Sequence, residues 1–438
     1  MNCKPFALAA LFLLTCSDLL AQAGSGVYVG GHIRRERPKT VTNLKESGFT
    51  YVILFDVTVE ADGTLTTDGE TICKNGQYVF ANEQPYYIED VKALKTWPTS
   101  IERIEICIGG WGNESYDCIR TLIERDSTDS NSILYRNFQA LKQAIPEIDA
   151  VNNDDEHCYH AETAVKFHTM MYDLGYKTTV APYTNKNFWH SLVNGLNRNR
   201  SGACDRVLIQ CYDGGANNNP SDWHLGNLPV HAGRTNYQTD MATSVSQMQT
   251  WRDNNGVVGG FVWVYNDETW KLNQWAAAMN RVFPTRQVDE PAVTCYTQSS
   301  FGGDATVLPV GRFSKGELAV YGLADKTIQS MKINPGYKVT VYYSTDLSGS
   351  TLMEWNGGQE LERLGTWSRR ISSLEIEMEE TDGIETLHDS TASPSDDYYD
   401  LQGRKLSNGK SSNSQMKKGL YIKNGKKIVI NTLSRSLW

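Results

Sequence analysis

Several features that would define a protein class are missing from this 438-residue chain. Its 51 acidic side chains outnumber the 42 basic ones and give a formal charge of −9, so it lacks the basic surface that binds a phosphate backbone. Beyond the N-terminus, no apolar run approaches the roughly 18 residues that cross a bilayer. No Gly-rich phosphate loop opens the first helix, and no Cys/His spacing matches a zinc site. We therefore expect no nucleic-acid partner, no membrane span and no zinc centre.

Residues 1–23 have the pattern of a cleaved export signal. Lys4 precedes a short apolar stretch over 6–14, and Ala21-Gln22-Ala23 is a small-x-small cleavage site. The alternative is a lipoprotein acylated at Cys16, although the threonine before that cysteine is unusual for one. The expected location is therefore secreted or on the cell surface.

Seven cysteines remain after this segment: Cys73, Cys107, Cys118, Cys158, Cys204, Cys211 and Cys295. Export permits disulfides, but the number is odd, and a chain of this length buries a full core without them. Cys107 and Cys211 fall inside strand-like runs, where buried thiols are expected. The pairing of the others stays open.

Strand-like and helical patterns alternate from residue 27 onward. The strand-like runs are 27–32, 51–59, 103–110, 148–156, 177–184, 206–213, 229–233 and 259–266, and clear helical spacing covers 135–144, 161–174 and 241–254. Eight such units over roughly 260 residues predict an α/β fold, a (β/α)8 TIM barrel. A doubly wound open sheet is the alternative.

The helical pattern stops after Pro284, and the rest of the chain is predicted to be β-rich. Short runs broken by turn residues predict a smaller all-β Greek-key domain. The stretch that follows is acidic and Ser/Thr-rich, as linkers are, and strand-and-turn units resume beyond it. The predicted division is 1–23 signal peptide, 24–290 barrel, 291–380 β domain, 381–397 linker and 398–438 small β tail.

The fourth strand-like run ends in polar residues, Asp149-Ala-Val-Asn152-Asn-Asp154-Asp-Glu156. Because side chains alternate along a strand, Asn152, Asp154 and Glu156 share one face, which at the C-terminal end of a barrel strand faces the active site. Repulsion between two close carboxylates raises the pKa of one, which can then act as a general acid. The plainer interpretation is an acidic surface loop. The segment is not an EF-hand-type calcium loop, because it lacks the glycine at the sixth position and the glutamate at the twelfth.

The spacing Asp149-x-x-Asn152-x-Asp154-x-Glu156 resembles the DxxDxDxE signature of glycoside hydrolase family 18, the chitinase and endo-β-N-acetylglucosaminidase family. The similarity covers about residues 27–285. Four more segments resemble strands of this family in the right order: Ile106-Cys107-Ile108-Gly109-Gly110-Trp111, Ala181-Pro182-Tyr183, Gln210-Cys211-Tyr212-Asp213 and Phe261-Val262-Trp263.

This resemblance implies three catalytic residues. Glu156 would be the general acid, Asp154 would orient the 2-acetamido group of the substrate, and Tyr212 would hydrogen-bond its carbonyl. That carbonyl would be the nucleophile, the substrate-assisted exception among retaining glycosidases, so the reacting sugar would be N-acetylated. The implied substrate-binding residues are Asn152, Asp149, Trp111, Tyr183, Gln210, Asp213 and Trp263.

One position departs from the family pattern. Asn152 stands where the family commonly has Asp, and an amide cannot share a proton with Asp154. We expect an altered pH dependence. The alternative function is a weakly active or inactive barrel that binds glycan at a surface. No inserted domain separates strands seven and eight, which favours an open cleft and suits a small endochitinase or an enzyme acting on N-glycans.

Other side chains have both a functional and a structural interpretation. Trp189, Trp223 and Trp270 follow strands and could stack on sugars, as Trp111 could, but each alone is more often structural. His157 and His160 have no third ligand at a suitable spacing, so no metal site is predicted there.

An internal repeat marks the β domain. Tyr296, Phe301 and Gly303 have the same spacing as Tyr342, Leu347 and Gly349, and a glycine there permits a positive φ. The segment of about 292–379 resembles a βγ-crystallin domain, a family that often binds calcium. The matching segments, 325–330 and 368–373, retain few of the required side chains, so no cofactor beyond weak calcium binding is expected.

The tail resembles the C-terminal sorting domains of the type IX secretion system. Tyr399-Asp400-Leu401-Gln402-Gly403-Arg404-Lys405 and Lys418-Gly419-Leu420-Tyr421-Ile422 carry this resemblance over about 34 residues. It implies secretion machinery as a partner, beside an N-acetylglucosamine-containing glycan, either chitin oligomers or N-glycans. An ordinary small β unit is the alternative.

Overall fold

The computed structural model describes residues 23–265, 271–350 and 352–379, together with four strands of the tail. The chain forms two compact units, Met1–Glu377 and Met378–Trp438. The predicted signal segment, except for Ala23, and the predicted linker, except for Asp397, lie outside the described residues.

A closed barrel of eight parallel strands forms the larger part of the first unit. Each strand pairs with its neighbours in sequence, and the first pairs with the last, so the predicted strand count is confirmed. The strands are β1 Gly24–Gly30, β2 Tyr51–Phe55, β3 Arg103–Gly109, β4 Ala150–Asp154, β5 Lys177–Val180, β6 Cys204–Gln210, β7 Val230–Thr235 and β8 Gly259–Trp263.

Large aromatic side chains fill the barrel interior. Tyr51 and Phe261 are fully buried there beside Cys107 and Leu208. Glycines on neighbouring strands leave space for these rings: a Cβ on Gly233 would lie 2.2 Å from the Phe261 ring. Most positions of the strands are therefore buried on both faces, as in parallel strands under a helical layer.

Helices follow most of the strands. They are α1 His32–Arg35, α2 Lys39–Lys45, α3 Tyr87–Leu94, α4 Ser115–Asp126, α5 Ile133–Ala144, α6 Ala161–Asp173, α7 Lys186–Asn199, α8 Met241–Asn255 and α9 Leu272–Val282. The connection between β6 and β7 has only two 3-10 turns, Asp213–Gly215 and Pro220–Trp223. The helical layer thus departs from a regular (β/α)8 pattern at this point.

Two features of this unit were not expected. A four-stranded antiparallel sheet, Thr58–Val59, Leu65–Thr67, Glu70–Lys74 and Gln77–Tyr78, is inserted between β2 and α3. The β domain contains a short helix, α10, Lys315–Val320, begun by a capping box between Ser314 and Glu317. The expectation that helices end at Pro284 was therefore wrong.

The β domain consists of two four-stranded sheets. One contains Val293–Tyr296, Ala305–Leu308, Ser330–Ile333 and Glu360–Leu361, and the other contains Gly311–Phe313, Tyr337–Tyr342, Leu352–Asn356 and Ser373–Met378. The repeat is visible in the backbone: Phe301 and Leu347 have φ of 61° and 62°, and Gly303 and Gly349 have φ of 74° and 91°. Both copies therefore make the same tight fold.

The β domain packs against the barrel through small residues. Gly48 meets Ala319 so closely that a Cβ on the glycine would lie 2.3 Å from the alanine Cβ. Asn280 of α9, buried, donates to the carbonyl oxygens of both residues at 2.8 Å and accepts from Ser25 Oγ at 2.7 Å. Since Gly48 precedes β2, this contact is at the N-terminal ends of the strands.

Polar contacts reinforce the same junction. Glu46 accepts from Lys315 Nζ at 3.0 Å and from Thr345 Oγ1 at 2.6 Å. The other contacts are Trp97 with Glu317, Arg281 with Asp304, and Asn273 with the backbone N–H of Asp325.

The second unit contains a four-stranded antiparallel sheet. Its strands are Asp397–Tyr399, Lys405–Asn408, Gly419–Lys423 and Lys426–Ile430. The residues between these strands, where the turns of the predicted strand-and-turn units would be, lie outside the described residues. Across the described part of the chain, no helix has both the length and the apolar character that crossing a bilayer requires.

Candidate active site

A cleft of about 640 Å³ opens at the C-terminal ends of the barrel strands. Eight of the ten sequence-predicted site residues line it, and Asn152 and Asp149 do not. The lining residues are Phe55, Gly110, Trp111, Asp154, Glu156, Tyr183, Gln210, Tyr212, Asp213, Gly214 and Trp263.

Asp154 and Glu156 form the chemical centre of the cleft. Asp154 ends β4 and is 5% exposed, and Glu156 follows two residues later, partly exposed. Gln210, at the end of β6, donates from Nε2 to Asp154 Oδ1 at 2.8 Å and to the Ala181 carbonyl at 3.0 Å. Because the second bond fixes the amide, its N–H group is directed at the carboxyl.

Burial sets the protonation of this pair. It raises the pKa of Asp154 well above its usual range, and the nearby charges of Glu156 and Asp155 raise it further, against the Gln210 hydrogen bond. Burial also raises the pKa of Glu156. Two neighbouring carboxyls in such a setting hold a proton to higher pH than isolated ones, so the pair can combine an acid with an anion.

Two glycines, the last residue of β3 and the one after it, permit the close approach of β3 to Asp154. Gly110 donates its N–H to the Asp154 carbonyl at 2.7 Å. Gly109 and Gly110 have φ of 105° and 109°, a region that side chains disfavour. A Cβ on Gly109 would lie 2.2 Å from the Asp154 carbonyl oxygen.

Asn152 is buried below the cleft. Its Oδ1 accepts from the Tyr28 hydroxyl at 2.9 Å, and its Nδ2 donates to Thr179 Oγ1 at 2.8 Å. Thr179 in turn donates to Glu105 at 2.5 Å, and Glu105 accepts from Arg103 at 2.7 Å. This chain of hydrogen bonds fixes the orientation of the amide inside the barrel.

Aromatic side chains form the walls and floor of the cleft. Trp263, at the end of β8, packs edge-on against Phe55 with ring centroids 4.9 Å apart and against Tyr28 at 5.2 Å. Trp111 is 92% exposed at the rim. Tyr212 is buried, and burial followed by the charge of Asp154 raises its pKa well above the usual range, so its hydroxyl keeps its proton.

Asp213 marks the edge formed by the loop after β6. It accepts hydrogen bonds from the Tyr237 hydroxyl at 2.8 Å and from the side-chain amide of Gln238. The loop itself is fixed by Asn218, which donates to the carbonyl oxygens of Tyr183 and Gln210 at 2.9 and 3.0 Å.

Several predicted residues lie elsewhere. Asp149 precedes β4 at its N-terminal end, where Lys95 Nζ approaches it to 2.7 Å and the Ile104 N–H donates to it at 2.8 Å. Trp189 and Trp223 are buried, and Trp270 lies outside the described residues.

The histidines after Glu156 have other partners. His157 contacts Asp117 at 2.7 Å, and His160 contacts Thr163 at 2.8 Å. Among the described residues, no group of three or more His, Cys, Asp or Glu side chains is placed to hold a metal ion. The seven described cysteines are free thiols, and Cys107 and Cys211 are buried.

Three residues that contribute to the site were not predicted from the sequence. Phe55 lines the cleft, Tyr28 contacts Asn152, and Tyr237 contacts Asp213. Phe55 was detectable, because it lies two and four residues after Ile53 and Tyr51, which face the barrel interior. Tyr28 has glycines two positions away on either side, so no such alternation marked it. Tyr237 follows β7 in a loop, for which the sequence has no periodic signal.

Comparison with known proteins bears on the β domain. No protein-family model matches the chain. Over 84 residues, 19% of this chain, the sequence is 27% identical to development-specific protein S of Myxococcus xanthus and 26% identical to its homologue from the same organism. These segments are 47% and 46% of those proteins, so the chain spans about half the length of the relatives it matches.

The similar solved structures include a domain of protein S and βγ-crystallin domains. The N-terminal domain of protein S is 28% identical, with a TM-score of 0.19, over 20% of this chain and 96% of its own. A βγ-crystallin domain from Flavobacterium johnsoniae is 24% identical, with a TM-score of 0.19, over 20% and 98%. On the sequence similarity to protein S, the chain contains a βγ-crystallin-like domain over about a fifth of its length.

Proposed function

We propose that this protein is an exported glycoside hydrolase that cleaves β-1,4 linkages at N-acetylglucosamine. The observation that carries the proposal is the meeting of Asp154, Glu156, Gln210 and Tyr212 in one aromatic-lined cleft at the C-terminal ends of the barrel strands. That end is where barrel enzymes have their active sites. We regard the barrel as a (β/α)8 barrel that has 3-10 turns in place of one helix.

In this proposal Glu156 acts first as the general acid. It donates its proton to the glycosidic oxygen as the bond to the anomeric carbon breaks, so the leaving sugar departs as a neutral alcohol. The raised pKa of Glu156 supports this role, because the group must be protonated at the pH of the reaction. Once deprotonated, Glu156 accepts a proton from the incoming water.

The nucleophile belongs to the substrate. The carbonyl oxygen of the 2-acetamido group attacks the anomeric carbon and forms an oxazolinium ion, which water then opens with overall retention. Asp154 orients the 2-acetamido group, and its carboxyl accepts a hydrogen bond from the acetamido N–H as positive charge develops on the nitrogen. Tyr212 donates a hydrogen bond to the acetamido oxygen. Trp263 and Phe55 provide an apolar surface against which a sugar ring can stack.

Turnover of two substrates tests the proposal. The mature chain is incubated with chitin oligomers and, separately, with a high-mannose glycoprotein, and released sugar or glycan is measured. We expect cleavage of at least one, and a fall of about 100-fold or more in Glu156→Gln, since losing a general acid costs 10²–10⁴-fold. Glu124→Gln, on the exposed surface of α4 and paired with Arg120, is the matched control. Near-normal turnover by Glu156→Gln would contradict the assignment of Glu156 as the general acid.

One observation favours a second candidate, a glycan-binding barrel with little or no activity. Asn152 is fixed by Tyr28 and Thr179 and cannot share a proton with Asp154. The same experiment separates the two functions, because a binding protein would retain the oligomers without releasing product.

For the tail we propose recognition by the type IX secretion machinery, with the protein released or held at the cell surface. The compact second unit and its antiparallel sheet support a separate sorting element. In the native host, a chain ending at residue 397 is expected to accumulate in the periplasm. Normal arrival in the medium or at the cell surface would contradict this role.

A further inference from the structure

The lining of the cleft has charges of one sign. Asp154, Glu156 and Asp213 contribute carboxyl groups, and none of the described lining residues is Lys, Arg or His. The other lining residues are aromatic, glycine or the neutral Gln210. A ligand in the cleft therefore meets the charge of Asp213, and of whichever carboxyl of the Asp154–Glu156 pair is ionised, without a neutralising partner among the described lining residues.

Uncharged hydrogen-bond donors hold the side chain of Asp213. Its two carboxylate oxygens accept from the Tyr237 hydroxyl and the Gln238 amide. The pKa of Tyr237 is raised to about 12, first by burial and then by its bond to Asp213, so this phenol remains an uncharged donor. The two bonds orient Asp213 at the edge of the cleft and leave its charge uncancelled.

The guanidinium of Arg234, which contacts the backbone of Cys211 next to Tyr212, is held by groups other than Asp213. Arg234, on β7 beside β6, donates to the Cys211 carbonyl at 3.2 Å and to the Thr239 hydroxyl at 3.0 Å, and its guanidinium lies 5.8 Å from the Trp251 ring centroid. It is not part of the lining.

From this arrangement we propose that the cleft selects uncharged glycans and rejects those with a carboxylate close to the cleaved bond. The inference rests on the proposed function and narrows its substrate class. Glycan strands with lactyl ethers and glycans with acidic sugars in the cleft would be poor substrates, whereas chitin-like or high-mannose glycans would be accepted. The physical reason is like-charge repulsion, which clefts with low-dielectric walls concentrate.

Three probes, two of them similar in bulk, test the proposal. They are the neutral oligosaccharide whose cleavage depends on Glu156, the same compound with 6-O-carboxymethyl ethers, and the methyl amide of those ethers. The amide matches the acid in bulk without its charge, so steric effects cancel. We measure kcat/KM for each at an ionic strength near 20 mM and again in 0.5 M NaCl, where the Debye length is only a few ångströms.

At low salt the amide is expected to be cleaved at least about 10-fold more efficiently than the acid, and the ratio should fall to about 3-fold or less in 0.5 M NaCl. Asp213→Asn should lower the ratio at low salt. The matched control is Asp173→Asn, which removes an exposed carboxylate at the end of α6 that pairs with Arg200 and does not line the cleft. It should leave the ratio unchanged. Equal rates for acid and amide at low salt would overturn the proposal.

Failure of the proposed function gives a different result. If no probe is cleaved, the dissociation constants of the unmodified chain for a chitin oligomer, its carboxymethyl ether and the methyl amide decide the matter. Preference for the amide over the acid would uphold the selection while removing the hydrolase assignment. Equal affinities, or no binding of any probe, would overturn the selection as well.

Discussion

At the scale of single residues, Asp154 keeps a proton at a cost to the fold. Burial and the charge of Glu156 raise its pKa, so the folded chain retains this proton at a pH where the unfolded carboxyl has lost it. Since the folded state then binds more protons, the free energy of unfolding falls as pH rises from the unfolded pKa through the folded pKa. The contribution is most favourable below the unfolded pKa.

Replacement of Asp154 by asparagine should therefore stabilise the protein while removing activity. We expect the free energy of unfolding at pH 8 to increase by about 0.5–2 kcal/mol, the usual range for relieving a strained functional site. The gain should shrink as pH is lowered towards 5. Urea unfolding of both chains at several pH values measures it, with Asp173→Asn as control. A gain that is constant with pH, or a loss, would contradict the protonation described for Asp154.

A second residue-scale prediction concerns the acetamido carbonyl. Tyr212→Phe removes the proposed hydrogen bond, worth about 1–3 kcal/mol when desolvated, and should slow turnover by about 5- to 160-fold. Tyr86→Phe, at an exposed position, is the control. A thiazoline analogue of the oxazolinium ion should inhibit, because it resembles an intermediate near the transition state.

The substrate-assisted step also has a negative test. Oligomers with glucosamine in the reacting subsite have no acetamido nucleophile and should not be cleaved. Efficient cleavage of fully deacetylated oligomers, or a glycosyl ester trapped on Asp154 or Glu156, would replace this mechanism with one that uses an enzyme nucleophile.

At the scale of elements, the strands of the barrel were the most predictable part of the fold. Parallel strands buried on both faces tend to give apolar runs, and the eight strand-like runs each overlap one barrel strand, although β4 and β5 are largely polar. The inserted sheet was missed because its strands, such as Leu65–Thr67, have only two to five residues and show no measurable period. Helix α10 has only six residues, but its Ser314-x-x-Glu317 capping box is a sequence signal for a helix start.

The candidate site followed from the same period, with limits. Alternation along β4 places Asp154 and Glu156 together, and the lining contains both. Asp149 was grouped with them because of a family motif, yet it is five positions from Asp154, about 16 Å along an extended strand. Contacts between loops, such as Tyr237 with Asp213, depend on tertiary structure and could not be predicted from local patterns.

An element-scale prediction concerns the glycines that end β3. Gly109→Ala places a methyl group 2.2 Å from the Asp154 carbonyl oxygen and imposes a side chain at φ 105°. We expect a loss of about 2–4 kcal/mol of stability, from the φ penalty and the backbone clash, and a fall in kcat as Asp154 shifts.

Gly112→Ala is the matched control for this variant. Gly112 also has a positive φ, 74°, but nothing lies within 4 Å of the added Cβ. Its loss should be only about 1–2 kcal/mol. Equal losses for the two variants, measured by urea unfolding, would show that approach of β3 to Asp154 is not what requires Gly109.

At the scale of the whole molecule, the βγ-crystallin-like domain is joined to the barrel as part of one compact unit. Its Ala319 meets Gly48, and its carbonyl satisfies the buried amide of Asn280. Removal of the domain would expose this apolar surface and leave an N–H group of Asn280 without its acceptor, which costs about 1–3 kcal/mol for that group alone.

Two truncations test this interdependence. The chain 24–379 lacks only the tail and should unfold within about 2 °C of the mature chain, because the tail forms a separate unit. The chain 24–290 lacks the β domain as well and should lose at least about 3 kcal/mol of stability or aggregate. Calorimetry and urea unfolding measure both. A barrel that is equally stable alone would show that the junction is a passive contact.

The junction at the N-terminal ends of the barrel strands has a practical consequence for attachment. The cleft opens at the C-terminal ends, and the chain leaves the first unit at Glu377, from the domain that packs on the other end. A chain that ends at Glu377 and is coupled to beads or a sensor chip through a tag there is therefore attached through the domain that does not form the cleft. The cleft stays open to the solution, and bulky polymers can reach it without obstruction by the support.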